Sequence, residues 1–302
     1  MGASMASNVR ERGFELVVHD IRPEAAKSHL AAGATWADTP QRVAQLSDVV
    51  LTSLPGPPEV EAVALGDKGL LSGLGEGKTF IDLSTNSPTL MRRLHGVFAG
   101  RGIHVLDGPV SGGPRGAKTR KLAIWVGGDE QVFLAHKPVL DAMGDEVVRV
   151  GPIGAGCIAK LVHNSTSFAV QTVLAEVFTL GVKAGVEPLA LWQAVRKGAT
   201  GRQRAFDRLA DRYLTGEFDP PSFALRLAHK DVSLATALAS EHAVPMRVLN
   251  LVLEEMTEAL NRGWGGRDSK SPMLLQEERA GVQVRVDPAR LQEALRRDPP
   301  AS

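Results

Sequence analysis

Lys160, His163 and Asn164 are spaced i, i+3 and i+4, which on a helix puts an amine, an imidazole and an amide on one face. A lysine on a helix is ordinarily a solvated charge. Here Ile158, Ala159, Leu161 and Val162 surround it, and partial burial would lower its pKa towards use as a proton donor and acceptor. A second group runs from Asp107 to Gly113, where an apolar stretch ends in a glycine-rich turn whose backbone N–H groups could hold an anion such as a carboxylate. Such a turn also arises for purely steric reasons. The third group, Lys230-Asp231, reads on its own as an exposed helical pair.

The elements that must carry these groups fall into two textures. In the first half, short β-branched runs alternate with helical segments, the pattern of a parallel sheet covered on both faces. Strands are expected at Phe14 to Asp20, Asp48 to Leu54, Thr79 to Leu83, Ile103 to Leu106, Leu122 to Val126 and Val147 to Val150. The first of these ends in an acidic residue, as the second strand of a dinucleotide-binding βαβ unit does, with Asp20 placed to meet the adenosine ribose. After Gly151-Pro152-Ile153-Gly154-Ala155-Gly156 the texture becomes helical. A long helix is expected from Gly156 to Lys183, because no proline or paired glycine interrupts it, and further helices at Pro188 to Lys197, Arg202 to Leu214, Phe223 to Glu241 and Pro245 to Arg262. A short alternating run stands at Val282 to Val286, and the tail from Asp287 reads as a surface appendage. The chain is therefore expected to be α/β, with a Rossmann-type dinucleotide-binding domain over residues 1–152 followed by an all-α domain over 153–302.

Bulk composition permits this without selecting it. At 302 residues and 43% hydrophobic, the chain can bury a large core divided between two domains. Thirty-five basic against 34 acidic residues give a formal charge of +1, so nothing electrostatic points to nucleic acid or a membrane surface, and small molecules are the expected partners. Cys157 is the one cysteine, which rules out an internal disulfide and a cysteine-based metal cluster and fits a reducing cytoplasm. No basic segment with a following apolar stretch opens the chain, and the most apolar run, Phe168 to Val182, is broken by Gln171 and Glu176.

Taken in order and spacing, Ser84-Thr85 after a strand, Gly108-Pro109-Val110-Ser111-Gly112-Gly113, the run Gly151 to Gly156 followed by Lys160 and Asn164, and Lys230-Asp231 resemble the β-hydroxyacid dehydrogenases. That family includes 3-hydroxyisobutyrate dehydrogenase and tartronate semialdehyde reductase, with 6-phosphogluconate dehydrogenase as a distant relative. The resemblance covers about Met1 to Gly281. It implies an active site in the cleft between the two domains, an NAD(P) cofactor, a small 3-hydroxy acid or semialdehyde as substrate, and a homodimer or homotetramer. By matched position, Lys160 would be the general acid/base and Asn164 would orient the substrate beside it. Ser111, Gly112 and Gly113 would hold the substrate carboxylate. Thr85 and Lys230 would contact the cofactor, with Leu54 and Pro55 lining its nicotinamide and ribose side. Arg202 and Arg204 could reach a second carboxylate or a sulfonate, although surface charge is their ordinary reading.

Two features depart from the pattern. Where many members carry paired asparagines after the lysine, this chain has His163-Asn164. At the start, Met1-Gly2 aligns with the end of the family's Gly-x-Gly-x-Met-Gly fingerprint, so that Gly2 is the last glycine of the phosphate turn and the first strand is missing; the expectation is a natural protein beginning several residues upstream of a mis-assigned start. Asp20 favours NAD by accepting from ribose hydroxyls and repelling a 2′-phosphate, while Arg22 could pair with that phosphate and leaves NADP open. A second reading keeps the fold for binding or assembly without catalysis, or with impaired cofactor binding. The presence of Lys160 argues for chemistry, and missing glycines would argue against it.

Overall fold

A computed structural model describes residues 1–198, 201, 207–241, 243 and 245–297. They form two compact units, Met1–Val162 and His163–Ser302, and the division falls inside one long helix.

The first unit is α/β. A six-stranded sheet has the order β3 (Val49–Thr52), β4 (Thr79–Asp82), β5 (His104–Asp107), β7 (Leu122–Gly127), β6 (Val110–Ser111), with β8 (Gly144–Gly151) also paired to β7. The β3, β4 and β5 strands are parallel and in register, with Thr52 opposite Asp82 and Asp82 opposite Asp107. The expectation of a purely parallel sheet is corrected at β7, which runs antiparallel to β5 and β6 and parallel to β8. The reason is local: between β6 and β7 the chain has only the short helix α6 (Gly113–Thr119), which turns it back on itself, whereas a parallel return needs a full crossover.

The expected strand at Phe14 to Asp20 shrinks to β1 (Val17–Val18), which pairs with β2 (Thr35–Trp36) in a sheet of its own. Both residues of β1 are only half-buried. Helix α1 (Gly2–Glu11) precedes it and buries Met5 and Val9 in the core with Ile81, Leu106, Leu122 and Ile124. On the opposite face, α5 (Pro88–Ala99) starts at Pro88, is capped by Ser87 Oγ accepting from Leu90 N at 3.4 Å, and buries Leu90, Met91, Leu94 and Phe98. Helices α2 (Lys27–Ala31), α3 (Pro40–Leu46), α4 (Pro57–Leu65) and α7 (Glu130–Leu140) complete the covering layers.

The long helix, α8 (Ala155–Lys183), carries the chain into the second unit. There α9 (Pro188–Lys197), α10 (Asp207–Ala210), α11 (Leu225–Glu241), α12 (Arg247–Asn261), α13 (Met273–Ala280) and α14 (Pro288–Arg297) surround a core of Phe178, Trp192, Tyr213 and Leu275. The short alternating run Val282 to Val286 buries Val284 and Val286, and Val286 N donates to Leu214 O; among the described residues no strand pairs with it. One expectation is corrected here: the tail is not a surface appendage. Capped by Asp287 Oδ1 accepting from Arg290 N, α14 lays Leu291 and Ala294 into the same core as Val284 and Val286. Arg202 and Arg204 lie outside the described residues.

Candidate active site

The carboxyl ends of β3, β4 and β5 gather most of the residues singled out by sequence, which is where ligands bind in open α/β sheets. Gly2 opens α1 beside the loop after β3: a Cβ there would sit 3.6 Å from Ser53 Cβ, an ordinary contact. The next residue of that loop, Leu54, donates its N–H to Ser84 Oγ at 2.9 Å, tying Leu54-Pro55 to the loop that carries Thr85. Beneath both loops lies Asp82, fully buried at the end of β4. Its Oδ1 accepts from Thr52 Oγ1 at 2.8 Å and Ser84 N at 3.1 Å, and its Oδ2 from Asn86 Nδ2 at 2.8 Å. Burial pushes the Asp82 carboxyl above its usual range, and the donors around it oppose that shift.

The next strand repeats the arrangement. Asp107 ends β5 with no exposed surface, and its main chain leads directly into Gly108 to Gly113. Ser111 is half-buried on β6. Gly112 has φ +131°, and a Cβ there would stand 3.0 Å from Lys121 O, so this turn takes glycine for both conformation and space. The Asp107 side chain reaches the start of α8, where Oδ1 accepts from Gly154 N at 2.6 Å and Oδ2 from Cys157 N at 2.7 Å. Burial raises the Asp107 carboxyl as well. The Cys157 thiol is pushed well above its ordinary value by its own burial first and by the Asp107 charge second, so it stays protonated and unreactive. Three residues along α8 from Cys157, Lys160 is 8% exposed. A buried lysine on a helix tied to the strand that feeds the anion turn is suited to proton transfer.

In the second unit, Asn164 follows on the same helix and is also 8% exposed. Its Nδ2 donates to Asp231 Oδ2 at 2.6 Å, and His163 Nδ1 lies 3.0 Å from its Oδ1. Asp231 is 1% exposed, with Lys230 Nζ 2.8 Å from its other oxygen in a close ion pair rather than an aligned hydrogen bond. The exposed-pair reading of Lys230-Asp231 is thus corrected for its acid, which is buried and orients Asn164.

Asp20 and Arg22 behave differently. Beyond β1, Asp20 Oδ1 accepts from Arg22 N at 2.9 Å and lies 3.8 Å from Arg22 Nε, with the two side chains 41% and 71% exposed. The donor set suits a dinucleotide: α1 starts without a side-chain cap or an acidic residue in its first turn, leaving its opening amides for a phosphate, and Asp20 offers an accessible acceptor at a strand end. Among the described residues, no group of three or more His, Cys, Asp or Glu could hold a metal ion, and no helix is long and apolar enough to cross a membrane.

Sequence reasoning missed Asp82, and it named Asp107 and Asp231 only as members of their groups, without the positioning roles their side chains take. The available signal was an acid closing an otherwise apolar run, as in Phe80-Ile81-Asp82 and Val105-Leu106-Asp107, just before a Ser- or Gly-rich loop.

A family profile described as the NAD binding domain of 6-phosphogluconate dehydrogenase matches residues 1–151, and one described as NAD-binding of NADP-dependent 3-hydroxyisobutyrate dehydrogenase matches residues 154–275. The chain is 33% identical over 285 residues to 2-(hydroxymethyl)glutarate dehydrogenase of Eubacterium barkeri, covering 94% of each. It is 34% identical over 275 residues to an NAD-dependent L-serine dehydrogenase of Pseudomonas aeruginosa, covering 89% of this chain and 92% of that one. The solved structure of Mycobacterium tuberculosis 3-hydroxyisobutyrate dehydrogenase with L-serine superposes with a TM-score of 0.81 at 28% identity, covering 91% of this chain and 95% of that one.

Proposed function

The chain belongs to the β-hydroxyacid dehydrogenase family, and from that premise we propose how its residues divide the work. It is an NAD(P)-dependent oxidoreductase acting between a small 3-hydroxy acid and the corresponding semialdehyde. When bound, the nicotinamide supplies or accepts the hydride. Lys160 Nζ delivers a proton to the substrate oxygen as the carbonyl is reduced, and removes it when the alcohol is oxidised. Ser111, Gly112 and Gly113 hold the substrate carboxylate through the hydroxyl and the turn's N–H groups. Asn164, its amide fixed by Asp231, orients the reacting oxygen. Gly2, Leu54, Pro55, Thr85 and Lys230 contact the cofactor, and Asp20 takes the ribose hydroxyls.

The observation that carries this reading is Lys160, buried on a helix whose first turn is held by the residue that begins the carboxylate turn. The substrates named for two relatives, 2-(hydroxymethyl)glutarate and L-serine, each combine a carboxylate with a hydroxyl, which is what the turn and the lysine together require. The non-catalytic reading is not supported by relatives named as dehydrogenases and reductases. We place the boundary between cofactor domain and helical domain at 152/153, just ahead of α8. NAD is the preferred cofactor, because Arg22 already lies against Asp20. The enzyme works as a homo-oligomer in the cytoplasm.

The test is a screen of small hydroxy acids and semialdehydes with both nucleotides, followed by absorbance of the reduced cofactor. Turnover confined to substrates with a carboxylate, and faster with NADH, is expected. Equal rates on substrates lacking the carboxylate would contradict the role of residues 111–113.

A further inference from the structure

Asp107 joins two parts of the machinery that the chain keeps far apart in sequence. Its main chain continues β5 into the turn that ends at Gly113, while its side chain binds amides 47 and 50 residues away. Those amides, Gly154 N and Cys157 N, belong to the opening of α8, and Cys157 precedes Lys160 by three residues, less than one helical turn.

The surroundings are cut to this carboxylate. A Cβ at Gly127 would come within 2.4 Å of Asp107 Oδ1, and one at Gly156 within 2.2 Å of Trp125 O and 3.0 Å of Asp107 Oδ2. Only glycine at both places lets β7 and α8 close around the acid. The choice of side chain also carries information. A serine or threonine caps one amide, whereas a carboxylate has an acceptor on each arm and fixes the direction of the helix as well as its end.

We propose that Asp107 is a positioning residue, whose two-armed grip on the first turn of α8 sets Lys160 Nζ at proton-transfer distance from a substrate held by Ser111–Gly113. This rests on the roles given above to Lys160 and the turn. The consequence is a specific failure when the grip is loosened. Substrate carboxylate and cofactor still bind, because the turn and the cofactor loops are held by other contacts, but the proton is delivered from the wrong place. A misplacement of about 1 Å is enough to reduce a rate by roughly a hundredfold.

Asp107→Asn tests this in the full chain, since the amide keeps the shape and one acceptor but turns an N–H2 towards the second backbone N–H. The expected result is a kcat at least tenfold lower, with the substrate KM and the nucleotide Kd within about twofold of the parent and a larger solvent deuterium isotope effect on kcat. An unchanged kcat and isotope effect would overturn the proposal. So would kcat, KM and Kd changing together, which is the mark of general loss of structure. Should Asp107→Asn fail to fold, Gly156→Ala keeps the carboxylate, displaces the helix start, and must show the same split.

A readout without turnover separates this proposal from the reading beneath it. Labelling of Lys160 by an amine reagent, mapped by mass spectrometry, is expected to be several-fold faster in Asp107→Asn than in the parent. Equal labelling rates would overturn the grip even if the parent proves active. A parent with no turnover on any hydroxy acid would instead remove the proposed function, and faster labelling would still establish the grip.

Discussion

Asp82 closes a parallel strand and Asp20 lies just beyond one, and the protein treats the two carboxylates in opposite ways. Asp82, inside the six-stranded sheet, has no exposed surface and accepts from three donors, one at the end of β3 and two on the loop after β4. Asp20, two residues beyond a two-residue strand in a separate pair, leaves 41% of its side chain in water and accepts one backbone N–H. The first is a structural mount and the second an accessible hand. Groups that must hold loops against each other are desolvated and filled with hydrogen bonds, while the group assigned to the outer part of the cofactor stays hydrated and free to exchange partners.

The comparison breaks first at Asp82. Asp82→Ala leaves the Thr52 hydroxyl, the Asn86 amide and Ser84 N without their acceptor in a buried site, at about 1–3 kcal/mol for each unsatisfied group that water cannot reach. A loss of about 3 kcal/mol or more in urea unfolding is expected, and a loss below about 1 kcal/mol would show that these bonds hold nothing.

The acid limb sharpens the same point. Because burial raises the Asp82 carboxyl, the folded state binds a proton more readily than the unfolded chain, whose value lies near 3.8. The stability tied to this group is therefore fully present below that unfolded value and lost as pH rises through the folded one. Asp82→Asn has nothing to titrate there and leaves Asp107 unchanged in both proteins. The Tm of the parent relative to Asp82→Asn should thus rise as pH is lowered from 7 to 4, and a flat or falling difference would contradict the burial argument.

Cys157 offers a gentler probe of the mount. Fully buried and held protonated, it should react with a thiol reagent only when the native state opens, so labelling without denaturant should be slower by orders of magnitude than in urea. Rapid labelling of the folded chain would mean that the start of α8 is not closed.

The smallest effect belongs to the hydrated acid. Asp20→Ala should change stability by no more than about 0.5 kcal/mol, as exposed pairs do, while shifting the ratio of NADH to NADPH turnover towards NADPH by up to roughly tenfold. A preference left unmoved would take Asp20 out of cofactor choice.

What could be read from sequence follows the same physical division. Helix α8 was legible because nothing in Gly156 to Lys183 interrupts it, and the ends of β3, β4 and β5 were legible because apolar runs stop at polar loops. The Thr52–Asp82 bond and the grip of Asp107 on α8 were not, since those partners lie 30 to 50 residues away and only the folded sheet and the helix that follows it bring them together. Helix α14 was underread because Leu291, Ala294 and Leu295 form a narrow apolar stripe within a charged segment, and only the core of the second unit gives that stripe something to cover.

The most direct test of the whole account is Lys160→Ala, with turnover and nucleotide binding measured on the same preparation. The account predicts a fall in kcat of about 10²–10⁴, as for loss of a general acid/base, with the nucleotide Kd within about twofold of the parent. Turnover within a few-fold of the parent would contradict it, because the proton would then be moving through another group.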